Sequence, residues 1–313
     1  MKILVLGGYG FFGKSVVKAF SNTEHEVIAL SRRNGLDLTD YNLTKEAFQK
    51  VQPDVIYNCV AHVGGLHYVS ARHGTIVHDN ILMSLNLYKA TESACSSALI
   101  INPLSNCSYQ GDAEIYTESE WLDKEVHDSV YSYGNAKRVL YMISRCYGSE
   151  FGIKTHNFLI PNAFGPGDSI DPNKVHALNG MIIRMIKAKA EGKTEFEIWG
   201  TGLPIREWIY VDDVAELFKR ALTLNMDLTY PVNFAQQQGY SIKESAELIA
   251  KAVGFTGKLV FRTDFQDGAP KKILDASQFR QIFPEFQFTD HYQGICQTVN
   301  FYKSQLLVPS LVN

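Results

Sequence analysis

The chain of 313 residues has no apolar run approaching the length of a membrane helix, and its charges nearly balance at a formal net charge of −3. The first absence argues against a membrane span, because a helix needs roughly 20 apolar residues to cross the hydrocarbon core. The second argues against nucleic-acid binding, which needs a basic stripe or patch. No internal repeat or low-complexity tract occurs. The opening "MKILVLGGYG" is apolar only as far as Leu6, too short for a secretory signal, so a cytoplasmic protein is expected. The five cysteines, Cys59, Cys95, Cys107, Cys146 and Cys296, are odd in number, scattered and without CxxC or Cys/His spacing. They imply no disulfide framework and no zinc or other metal site, and are expected to be reduced, mostly buried thiols.

What the first half does have is a rhythm. β-branched runs ("KILVLG", "EVIALS", "DVIYNCVA", "ALIINPLS", "KTHNFLIP") alternate with helical patterns, the longest near "HDNILMSLNLYKATESACSS" and from Gly134 to "YGSEFG". This predicts βαβ units and a parallel sheet, with about six strands in the first 160 residues. After "PNAFGPGD" the turn signals become dense and the alternation lapses. The expected fold class is α/β: a Rossmann-type doubly wound parallel sheet with a smaller, interleaved C-terminal substrate domain. The expected division is 1–163 with a return segment at about 207–235, against 164–206 and 236–313.

Gly7, Gly10 and Gly13 space a GxxGxxG between the first strand and the first helix. Glycines there let the chain turn tightly and approach a pyrophosphate, with the helix N-terminus supplying N–H groups. Alone, such a triplet marks an ordinary βα turn as well; its place directly after an N-terminal apolar strand favours a dinucleotide. The second strand ends in "ALSRRNGLDLTD", where Ser31 replaces the acidic residue that would hold a ribose 2′-hydroxyl and is followed by Arg32 and Arg33. An arginine pair suits a 2′-phosphate, which favours NADP(H) over NAD(H). Asp37 is expected either to accept from the adenine amino group or to cap a turn.

"YGNAK" puts Tyr133 and Lys137 at i and i+4, on one helical face. An ammonium beside a phenol favours the phenolate by charge, so the pair is expected to trade protons near neutrality. With the glycine triplet and Ser105 upstream, the set resembles the short-chain dehydrogenase/reductase superfamily, in its extended branch acting on nucleotide sugars. Six blocks narrow the resemblance: "AHVGGLH" (61–67), "SNCSYQG" (105–111), "IPNAFGPGD" (160–168), "KVHALNGMIIRM" (174–185), "IWGTGLPIREWIYVDD" (198–213) and "FQDGAPKKILD" (265–275). In order, they are similar to the motif series of the GDP-L-fucose synthase family.

That resemblance implies an NADPH-dependent 3,5-epimerase/4-reductase acting on a GDP-4-keto-6-deoxyhexose. It assigns Ser105, Tyr133 and Lys137 to the carbonyl oxygen, with Tyr133 and Lys137 also at the cofactor. It assigns Cys107 and His176 to proton exchange at the carbons that a 4-keto group acidifies, and implies Asn162, Arg184, Trp199, Arg206 and Lys272 at the GDP-sugar. A homodimer is implied through the helix near 80–97 and the one carrying Tyr133, where Leu85, Leu87, Leu140 and Ile143 serve either interface or core. Asn106, "FFG" and the loop "HYVSARHGT" depart from the family's usual residues and bear on the substrate more than on the reaction. Two alternatives remain open: a GDP-sugar C4 keto-reductase or 4-dehydrogenase without epimerisation, and a dinucleotide-sensing binding protein. Retention of both Tyr133 and Lys137 disfavours the second.

Overall fold

A computed structural model describes residues 1–265 and 267–306. In chain order the strands are β1 (Lys2–Leu6), β2 (Glu26–Leu30), β3 (Val55–Asn58), β4 (Leu99–Ser105), β5 (Thr155–Ile160), β6 (Asn162–Phe164), β7 (Glu195–Trp199), β8 (Ile205–Tyr210), β9 (Val232–Asn233), β10 (Gly239–Ser241), β11 (Lys258–Arg262) and β12 (Lys271–Lys272). The helices are α1 (Phe11–Ala19), α2 (Tyr41–Val51), α3 (Leu66–Ser70), α4 (His73–Ala94), α5 (Tyr131–Phe151), α6 (Ala177–Ala190), α7 (Val211–Ala221), α8 (Ile242–Val253), α9 (Ser277–Ile282) and α10 (His291–Leu306).

The central sheet has six strands in the order β2-β1-β3-β4-β5-β9, every pair parallel. Its strands are apolar on both faces because helices cover both. In β1, Leu4 and Leu6 enter one core with α2, α4 and α5, while Ile3 and Val5 enter a second core with α1 and α7. Five strands, rather than about six, precede residue 161, and the sixth position is filled from farther along by β9. The physical reason lies between β2 and β3: one short turn and α2 occupy that stretch, leaving no room for another strand with its own crossover.

A third core joins α6, α8 and α10 to β7 and β8. There β7 and β11 form a parallel pair, and β8 takes β10, β12 and β6 as neighbours. α9 and the following phenylalanines, Phe283 and Phe286, pack instead on the α1/α7 side of the central sheet. The C-terminal stretch 307–313 of the expected substrate domain lies outside the described residues. Of the four apolar residues expected at an interface or in the core, Leu87, Leu140 and Ile143 are core and Leu85 is exposed. No helix among the described residues is long and apolar enough to cross a membrane.

Candidate active site

Because the central strands run parallel, their C-terminal ends share one edge, and the turns after β1, β2 and β4 gather there. β1 is flanked by β2 and β3, so the chain leaves it at the point where strand order reverses. Gly7 turns at φ +71, and a Cβ on it would stand 2.8 Å from the Cys59 carbonyl oxygen. A Cβ on Gly13 would collide with the Gly7 carbonyl, so α1 packs against this turn only through glycine. The turn closes by a 2.8 Å bond from Gly10 N–H to Gly7 O, and Gly10 caps α1 with no side chain over its first N–H groups. That bare helix start leaves its first N–H groups free, a geometry that suits a pyrophosphate.

After β2, Ser31 accepts from Arg33 N–H at 3.1 Å and Asn34 accepts from Ser31 N–H at 2.7 Å, a reciprocal cap for the turn Arg32–Asn34. Arg32 and Arg33 are exposed there and have no ion pair among the described residues. Asp37 is engaged locally, one oxygen accepting from the N–H (3.0 Å) and the hydroxyl (2.8 Å) of Thr39. That oxygen closes the turn before α2, whose N-cap is Asp40.

Ser105 ends β4 and caps a tight turn by accepting from Cys107 N–H at 3.1 Å. That bond uses a lone pair and leaves the Ser105 hydroxyl hydrogen free to donate. α5 brings Tyr133 and Lys137 beneath this turn; a Cβ on the intervening Gly134 would collide with the Cys107 carbonyl. Lys137 is 5 % exposed, donates to Pro103 O at 2.9 Å, and places Nζ 5.6 Å from the centre of the Tyr133 ring. Burial pulls its ammonium down to about 8, with Cys59 acting weakly the other way. Tyr133 is raised well above the ordinary phenol value by burial and by the neighbouring Cys107. The shift is thus opposite to the one expected from Lys137: burial favours the neutral phenol.

Cys107 is half-buried, close enough to Tyr133, Arg206 and Lys272 for its charge to bear on each. Arg206 on β8 stands in register with Lys272 on β12, and burial lowers both cations. The adjoining Lys271 is turned away into an ion pair with Glu114 at 2.9 Å, so strand alternation separates the two lysines. Asn162 on β6 donates to the Glu207 carbonyl at 3.2 Å on the same strand β8.

His176 caps α6, and its Nδ1 lies 3.0 Å from Asp168 Oδ2, which also accepts from His176 N–H (2.9 Å) and Asn179 Nδ2 (2.9 Å). Burial alone would raise the Asp168 carboxyl, but these bonds together hold it below the usual carboxylate range. With Nδ1 bound, Nε2 is the nitrogen left for chemistry. The His176 ring lies 5.3 Å from that of Phe11, at the start of α1, which places it beside the glycine turn. Arg184 and Trp199 form a separate group: the guanidinium stands 5.7 Å over Trp199, which is 61 % exposed and stacks on Phe265 at 5.1 Å.

Sequence reasoning missed Asp168 and Glu207. Asp168 closes "GPGD" in a quoted block, and an acid shortly before a histidine was the available signal. Glu207 had only its place between Arg206 and Trp208 in a strand to mark it.

A parallel sheet that carries a glycine turn and a Tyr–Lys helix along one edge defines an NAD(P)-dependent enzyme of the epimerase/reductase type. The family model for the NAD dependent epimerase/dehydratase family matches residues 3–232, and the chain belongs to that family. It is 31 % identical over 317 residues to a probable GDP-L-fucose synthase of Drosophila melanogaster, covering 96 % of this chain and 97 % of the relative. It is 28 % identical over 305 residues to GDP-L-fucose synthase 1 of Arabidopsis thaliana, covering 96 % and 93 %. The crystal structure of a GDP-L-fucose synthetase from Naegleria fowleri bound to NADP superposes with a TM-score of 0.88 at 29 % identity, over 97 % of this chain and 94 % of that one.

Proposed function

We propose that the protein is an NADPH-dependent 3,5-epimerase/4-reductase acting on a GDP-4-keto-6-deoxyhexose such as GDP-4-keto-6-deoxymannose. The observation that carries this reading is the company of Cys107: a half-buried thiol near the half-buried Arg206, the buried Lys272 and the phenol of the Tyr–Lys pair. A plain reductase has no use for a thiol there, whereas inversion beside a ketone needs a base on one face and an acid on the other.

In this reading Cys107 and His176 exchange protons at C3 and C5, with Asp168 fixing the His176 tautomer. Both carbons are acidified by the 4-keto group, whose oxygen receives the Ser105 hydroxyl hydrogen. The bound nicotinamide supplies a hydride to C4. Tyr133 gives its proton to O4, a role suited to a phenol that burial keeps protonated, and the Lys137 ammonium stabilises the charge that Tyr133 then carries. The cradle at Gly7, Gly10 and Gly13 fits the pyrophosphate of the dinucleotide, and the two exposed arginines after β2 suit a 2′-phosphate, so NADP(H) is the cofactor. Arg206, Lys272 and Asn162 hold the GDP diphosphate, while Arg184 and Trp199 border the outer part of the nucleotide sugar.

We also propose that residues 1–163 with 207–235 bind the dinucleotide and the remainder binds the GDP-sugar, and that the enzyme is a cytoplasmic homodimer. Exposed Leu85 and Met142, on the adjacent helices α4 and α5, support the dimer face. Incubation with NADPH and GDP-4-keto-6-deoxymannose in D₂O, followed by NMR of the product, tests the reaction. Deuterium at C3 and C5 with hydride at C4 is expected; reduction without deuterium uptake would reduce the protein to a C4 keto-reductase.

A further inference from the structure

Two cations of the site, Arg206 and Lys272, oppose each other across the β8–β12 register. Like charges directly opposite are destabilising, and β12 is a strand of only two residues. Lys272 is 8 % exposed, and its ammonium has no hydrogen bond or ion pair to any described residue. The strand pairing alone is therefore a poor clamp for this geometry.

The next residue of β8 supplies a better one. Glu207 is fully buried at 0 % exposure, on the face of β8 opposite to Arg206. Its Oε2 accepts from Leu274 N–H at 2.8 Å, and its Oε1 accepts from Gln236 N–H at 2.8 Å and Gln237 N–H at 3.1 Å. Leu274 lies just past Lys272, and Gln236 follows β9 of the central sheet. One carboxylate thus ties β8, the end of β12 and the chain leaving the central sheet. The Glu207 carbonyl, in addition, is the acceptor for Asn162.

We propose that Glu207 is a positioning residue for the substrate site. By accepting three main-chain N–H bonds it fixes β12 on β8 and holds Arg206 and Lys272 as a fork for a nucleoside diphosphate next to Cys107. Burial pushes this carboxyl up to about 7, against the pull of the three amide donors. The inference rests on the nucleotide-sugar reading of the site.

The test compares wild type with Glu207→Gln, which keeps the volume but turns an NH₂ group toward a main-chain donor. Three quantities are read: GDP affinity by calorimetry, NADPH affinity, and the rate at which iodoacetamide alkylates Cys107. About tenfold weaker GDP binding is expected, the scale of one lost charged hydrogen bond, together with slower alkylation and unchanged NADPH affinity. Unchanged GDP affinity and alkylation, or losses shared equally with NADPH, would overturn the assignment. Should Glu207→Gln fail to fold, Glu207→Asp keeps the charge at shorter reach and is expected to give a smaller loss of the same selectivity; wild-type behaviour or an unselective loss in that variant overturns it equally. A wild-type protein that binds NADPH but not GDP would overturn the underlying reading and this inference with it.

Discussion

His291 offers a direct test of how burial governs this molecule. It begins α10 at 6 % exposure, stacked on Tyr240 at 4.2 Å and edge-on to Phe164 at 5.3 Å, and neither ring nitrogen has a hydrogen-bond partner among the described residues. Burial pulls it down from 6.5 to about 4, with nearby Asp290 acting the other way. Between those values the unfolded chain takes a proton that the folded protein refuses, so stability falls as pH drops through this window. The displacement is equivalent to roughly 3 kcal/mol at most. Glu207 works in the opposite sense: its carboxyl is raised from 4.5 to about 7, so its contribution is full below 4.5 and is lost as pH rises to 7. Over the shared interval the two slopes offset each other. His291→Phe removes one of them without breaking a side-chain hydrogen bond among the described residues. Urea unfolding of both proteins at pH 7, 5.5 and 4.5 should show the variant gaining on wild type as pH falls, by up to roughly 3 kcal/mol. Parallel profiles would refute a neutral, buried imidazole at this position.

Three further outcomes bear on the site. Cys107→Ser should abolish deuterium uptake at C3 and C5 while retaining part of the C4 reduction; unchanged product stereochemistry would remove the thiol from the mechanism. Asp168→Asn should leave the fold intact and lower turnover by about tenfold to a hundredfold with an altered pH–rate profile, because His176 loses the acceptor that fixes its tautomer; an unchanged pH–rate profile would count against the pairing. Replacing Arg32 and Arg33 together by Ala should raise the KM for NADPH by at least about tenfold and leave NADH nearly unaffected; equal changes for both cofactors would contradict 2′-phosphate recognition.

The parts of this molecule that were legible from sequence are those whose determinants are local. The glycine triplet sits on the turn that only glycine fits, and the i,i+4 pair Tyr133 and Lys137 lies on one helix as its spacing demands. Ser105 falls at a strand end because an apolar run stops there. What sequence hid was distant pairing. β7 meets β11 across the whole of β8 and α8, and β12 finds β8 through two residues with no hydrophobic pattern to announce them. The surroundings of Cys107 and Lys272 follow from that pairing. The phenol of Tyr133 is a further case: its place one turn from Lys137 was visible, but the burial that raises it depends on tertiary packing.

The crowding of β8 also limits how this family member can drift. A strand alternates faces with a period of two, and β8 is gripped by β6, β10 and β12 at once. Insertion or deletion of one residue in the loop 200–204, if it shifted β8 by one place, would exchange the outlooks of Arg206 and Glu207. A carboxylate would then confront the thiol, and a guanidinium would be driven among three main-chain donors with nothing to accept it. Length changes in that loop should therefore be inherited in pairs of residues or absorbed before Ile205.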